Sequence, residues 1–185
     1  MNRIMPFLVV FALAGCSPQQ QVPREVLAVE ESTGDSAKRE AYLNQRIRGY
    51  VSNKDLESAT FRMVSMEYSG GHLQEWEYAD GSATYSESSG VPDTPAVTVT
   101  IPLDKNQLLL LEDVFNLVVK QELWKQTDLE ELAADGGEQT YTFSVGDHSG
   151  QFKLINTQPA HLEIFRHKCW KLMESVKRAA KKAKL

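Results

Sequence analysis

The sequence predicts an α+β fold: an antiparallel sheet of five or six strands with amphipathic helices packed on one face. Segments 60–103 and 139–155 alternate apolar and polar residues, the period-two pattern of strands that bury one side. Segments 108–118 and 161–176 repeat apolar residues every three or four positions, as helices with one buried stripe do. Short turn sequences separate the strand segments, and only antiparallel neighbours can be joined so closely.

Taken in order, Ser36 can cap a helix running to about Val51. Leu43, Ile47, Tyr50 and Val51 form its apolar stripe, and Gly49 weakens its end. Thr60 to Tyr68 reads as a strand with Val64, Met66 and Tyr68 on one face. After Ser69-Gly70-Gly71 the chain returns over His72 to Ala79, where Trp76 and Tyr78 alternate with Glu75 and Glu77. Asp80-Gly81 is a two-residue hairpin signal, followed by a short strand begun by Ala83 and Tyr85. A Ser/Gly/Pro loop over 86–95 leads to a fourth strand, Ala96 to Leu103, with Val97, Val99 and Ile101 opposite Thr98 and Thr100.

Asp104, with Gln107 three residues on, forms a capping-box variant that starts a Leu-rich helix. Leu108, Leu111, Phe115 and Val118 share one face, with Leu110, Val114 and Leu117 beside it. Thr127 with Glu130 suggests a short further helix stopped by Gly136-Gly137. Two strands, Gln139 to Val145 and Gln151 to Ile155, flank the turn Gly146 to Gly150. A last helix runs from His161 to about Val176, with Leu162, Phe165, Cys169, Leu172, Met173 and Val176 inward.

Before this domain lies a different kind of sequence. A short positive start at Arg3 is followed by an apolar run from Ile4 to Ala14, about half the ~20 residues a spanning helix needs. The run ends in Leu13-Ala14-Gly15-Cys16, which resembles the lipobox of bacterial lipoproteins. The resemblance implies diacylglycerol on the Cys16 sulfur, cleavage before it and acylation of the new amino terminus. Ser17 in place of Asp favours outer over inner membrane under the familiar sorting rule. The expected organisation is a signal peptide over 1–15, a Gln/Glu/Ser/Pro-rich tether over 16–35, one α+β domain over 36–176 and a basic tail over 177–185.

Lipid on Cys16 leaves Cys169 without a partner in the chain, so neither a disulfide-stapled fold nor a multi-cysteine zinc site is available. Cys169 reads as a buried thiol on a helix face, the alternative being an intermolecular bridge. Residues 166–185 carry eight Lys or Arg and one Glu, whereas 16–165 carry 11 basic and 24 acidic residues. The basic end, Lys177, Arg178, Lys181, Lys182 and Lys184, is either a solvated helix end or an electrostatic contact with anionic lipid headgroups, lipopolysaccharide or wall polymer. Export and the acidic body argue against nucleic acid.

No residue set reads as catalytic, metal-binding or cofactor-binding. Asp147, His148 and Ser149 are adjacent in one turn and cannot form a nucleophilic relay. On a helix, His167 and Cys169 lie about 240° and 80° from His161, so the three share no face. The carboxylates Glu75, Glu77, Asp128, Glu130, Glu131 and Asp135 fall at alternating or exposed positions of a solvated face. Neither a phosphate-binding glycine loop nor a His-Glu-x-x-His motif is present.

Residues 60–176 also resemble the emfourin-type inhibitors that accompany thermolysin-like proteases. The shared features are a strand leading into Ser69-Gly70-Gly71, a Leu-rich helix, the alternating strand Tyr141-Thr142-Phe143-Ser144-Val145 and a final helix introduced by Pro159. That resemblance implies inhibition of an exported metalloprotease, and no binding residue carries over from it. The expected function is a membrane-anchored envelope lipoprotein with a non-enzymatic binding or accessory domain. Its partners are the bilayer, through acylated Cys16, and an envelope protein or wall component. The alternatives are the protease inhibitor and an envelope hydrolase with an unrecognised site.

Overall fold

The computed structural model of the chain describes residues 36–68, 71–89, 96–131 and 136–183. Cys16, the expected signal segment and tether over 1–35, and Lys184 lie outside them. The elements run α1 (Ser36–Asn44), α2 (Asn53–Glu57), β1 (Thr60–Glu67), β2 (His72–Ala79), β3 (Ser82–Ser88), β4 (Val97–Pro102) and α3 (Lys105–Lys120). A 3-10 turn (Leu123–Lys125), β5 (Leu129–Glu130), β6 (Gly137–Val145), β7 (His148–Ile155) and α4 (Glu163–Ala183) complete them. The fold is α+β as expected, but the sheet has seven strands, in the order β4-β3-β2-β1-β6-β7-β5. It is mixed, because β5 pairs parallel to β7 while the other neighbours are antiparallel.

Alternation decides which side is buried. Phe61 and Met63 on β1, Trp76 and Tyr78 on β2, Tyr141 and Phe143 on β6, and Phe152 and Leu154 on β7 all point to one side and are buried. Phe115 of α3 meets Phe61 and Tyr78 there, with ring centroids 6.2 and 6.3 Å away. Phe165 of α4 meets Tyr141 at 5.1 Å and Phe152 at 6.0 Å. Both long helices therefore cover the same face. The inward side of β1 is set by Phe61 and Met63, so Val64 and Met66 point the other way and Tyr68 is exposed.

Local chemistry explains most element ends. The Asp104 carboxylate accepts from the Gln107 N–H at 2.9 Å, and the Gln107 side chain accepts from the Asp104 N–H at 2.8 Å. The same Gln107 amide donates to the Ser175 hydroxyl of α4 at 3.1 Å, tying the two helices together. Leu108, expected inward, is 45% exposed at this first turn. Asp80 and Gly81 both have positive φ, the geometry a two-residue hairpin requires.

Three expectations need correction. The first helix does not reach Val51. It stops at Asn44, and Ser52, with Asp55, caps the separate α2. Beyond Asn44, buried side chains of α3 and α4 take the backbone groups that a continued helix would use. Asp113 accepts from the Ile47 N–H at 3.0 Å, Asn116 from those of Tyr50 and Val51 at 2.8 and 3.2 Å, and Lys168 donates to the Gln45 carbonyl at 2.8 Å. Second, the short helix expected from Thr127 is β5, because Asp128 accepts from the Lys153 N–H at 2.7 Å and sets Leu129 beside Leu154. Third, the β6–β7 turn is only Gly146-Asp147, with His148 already paired to Val145.

Candidate functional site

Because the helices lie on one side, no described element covers the other face of the sheet. Strand register assembles that face into rows. One row crosses six strands as Thr100, Thr84, Glu77, Arg62, Thr142 and Gln151. The next reads Thr98, Ser86, Glu75, Val64, Thr140 and Lys153. Thr84 and Thr100 hydroxyls lie 3.0 Å apart, as do those of Ser86 and Thr98. Arg62 Nε donates to Glu75 at 2.6 Å, and Lys153 pairs with Glu138 at 3.1 Å. The result is a hydroxyl-rich grid pinned by cross-strand contacts, with short β-branched side chains that lose little entropy on contact. Such a surface can offer donors and acceptors to a partner without first reorganising.

A second surface lies on the outward side of α4, which runs through Ala183 and so includes most of the basic end. Ala180 is buried and Ala179 packs against the core. Lys177 reaches the sheet, where its ammonium lies 3.0 Å from Glu87. His72 lies 3.1 Å from the same carboxylate. Burial alone would raise the Glu87 carboxyl, but Lys177, with help from Lys181 and His72, holds it below its ordinary value. Lys181 and Lys182 are exposed, and Arg178 donates through Nε to the Glu174 carbonyl. Trp170, which the periodicity gave no reason to single out, is 42% exposed on this helix.

The residues weighed for chemistry are not brought together. Asp147 and His148 line a pocket of about 160 Å³ with Tyr50 and Asp55, smaller than the roughly 300 Å³ at which small-molecule sites begin. The His148 ring stacks flat on Trp124 at 3.7 Å, whereas Ser149, on the other side of β7, pairs with Ser144. Gly150 permits this arrangement, since a Cβ there would come within 3.0 Å of the Trp124 Cα. His161 approaches Gln126 and His167 approaches Asn44, while Cys169 is fully buried, which removes the intermolecular-bridge reading. Among the described residues, no group of three or more His, Cys, Asp or Glu is placed to hold a metal, and no helix is long and apolar enough to cross a membrane.

No known protein family matches the chain, and no curated protein matches it.

Proposed function

We propose that this protein is a lipid-anchored lipoprotein of the bacterial envelope, outer membrane favoured, whose folded domain is a non-enzymatic binding module. The open sheet face is its contact surface. The observation that carries the reading is the one-sided covering of the sheet: helices close one face, and a polar grid stands open on the other. Leu13-Ala14-Gly15-Cys16 supports the anchor, with the acyl chains on Cys16 and the stretch 16–35 as tether. The partner is an envelope protein or a wall component whose polar groups can satisfy the grid.

The anchor is tested by mass spectrometry of the native product, which should begin at Cys16 and carry fatty acid. An intact leader or an unacylated start removes that half of the proposal. The contact surface is tested with a photo-crosslinking residue placed at Thr98 or Thr142 in the full chain in cells. A discrete adduct from these positions, and none from exposed Lys105 on α3, is expected. Equal labelling from all three positions would rule the open face out as the contact surface.

A further inference from the structure

We propose that the outward face of α4 rests on the anionic phospholipid surface in which the anchor is embedded, turning the open sheet face away from the membrane. This rests on the lipid-anchored reading above and adds the orientation of the domain.

At about 100° per residue, Lys181, Arg178, Lys171 and Lys182 follow Trp170 at roughly 20°, 80°, 100° and 120° around the helix. All five are exposed and lie opposite the stripe of Phe165, Cys169, Leu172 and Val176 that α4 buries. Glu174 and Glu163 share the arc at about 40° and 20°, but Arg39 pairs with Glu163, so the arc keeps a net excess of positive charge. Lys168 and Lys177, the other lysines of α4, are occupied by Asp113 and Glu87 and take no part. An indole beside several ammonium and guanidinium groups matches the headgroup region of an anionic bilayer. The ring enters the interface while the cations stay at the phosphates.

Helix α1 lies along α4, where Arg39 pairs with Glu163 and Lys171 donates to the neutral Asn44 amide oxygen and so keeps its full charge. Cys16 lies only 20 residues before Ser36 in sequence, so a chain acylated there holds the domain near the surface at high effective concentration. A contact too weak to recruit a free protein is then well populated. The acidic remainder of the domain is repelled by the same surface, which favours one orientation.

The test uses the full acylated chain in vesicles with brominated acyl chains, made either of phosphatidylglycerol with phosphatidylcholine or of phosphatidylcholine alone. Tryptophan quenching lost on Trp170→Phe isolates this residue from Trp76 and Trp124. That component should be strong in the anionic vesicles. It should fall at least about fivefold in neutral vesicles, in about 0.5 M salt, and in the variant Lys171→Gln, Arg178→Gln, Lys181→Gln, Lys182→Gln. The salt arm needs no substitution, so a folding defect in the variant cannot decide the result. Equal Trp170 quenching in both vesicle types, or none in either, in a chain that floats with both, overturns the orientation. A chain that fails to float with neutral vesicles overturns the anchor instead, and the difference on anionic vesicles still judges the α4 face.

Discussion

Asp113 has no exposed surface, yet three donors reach it: Lys168 Nζ at 2.8 Å, Arg46 Nε at 2.7 Å and the Ile47 N–H at 3.0 Å. Removing the carboxylate strands Lys168, itself 2% exposed, as an unpaired buried cation. Asp113→Ala should therefore cost about 3–5 kcal/mol in urea unfolding. Asp113→Leu combined with Lys168→Met should cost less, because Arg46 keeps Glu112 and no buried cation is stranded, although the Ile47 N–H and the Gln45 carbonyl lose their partners. Equal losses would mean that the pair itself, not the stranded charge, carries the energy. Glu87 makes a pH-dependent contribution. Its folded-state value is depressed below the ordinary 4.5, so its ties to Lys177 and His72 stabilise the fold above that pH and fade as pH falls through the lower folded value. Glu87→Gln should flatten the acid limb of stability against pH below about 4.5 and leave the slope above pH 7 unchanged.

At the scale of elements, α4 shows what its basic end is for in the fold. Ala180 is 2% exposed, Ala179 packs on the core and Lys177 spans to β3. Ending the chain after Val176 removes one buried and one partly buried alanine side chain and a half-buried ion pair, and should lower stability by about 1–2 kcal/mol in urea unfolding. No change would mean that the last turns contribute nothing to the domain. The sequence pattern sees such a helix because its stripe repeats locally. It likewise shows the inward sides of β2, β6 and β7, where aromatic residues alternate with charged or hydroxyl ones. It groups Val64, Met66 and Tyr68 correctly on one face of β1 but leaves open which face is buried, because Phe61 and Met63 make the other parity apolar too, and contacts with Phe115 and Phe165 decide. It misses the end of α1 and the identity of β5 for another reason. Asp113, Asn116, Lys168 and Lys153 act there from far along the chain, and no local period records them. The open grid is intermediate: its hydroxyls are visible strand by strand, but the rows exist only once register is known.

For the whole molecule, the two surfaces lie on opposite sides of one core. The sheet presents its polar grid to one side, and α4, packed on the other face of that sheet, presents Trp170 and its cations outward. Binding through the grid then makes a demand that stability does not. Thr84 and Thr142 lie in one row, on either side of the Arg62–Glu77 register pair, and their hydroxyls bond to Thr100 and Gln151 on the outer face, away from the core. Replacing both with Arg adds bulk and charge to the grid while leaving the core untouched. Thermal unfolding of the double variant should stay within about 1 kcal/mol of wild type. Crosslinking from Thr98 should fall at least tenfold, since two long cations in the middle of the contact hold the partner off and leave its polar groups unsatisfied. Undiminished crosslinking in a variant of unchanged stability would mean that the partner binds elsewhere, and the contact surface would have to be sought on the rim of the sheet or on α1.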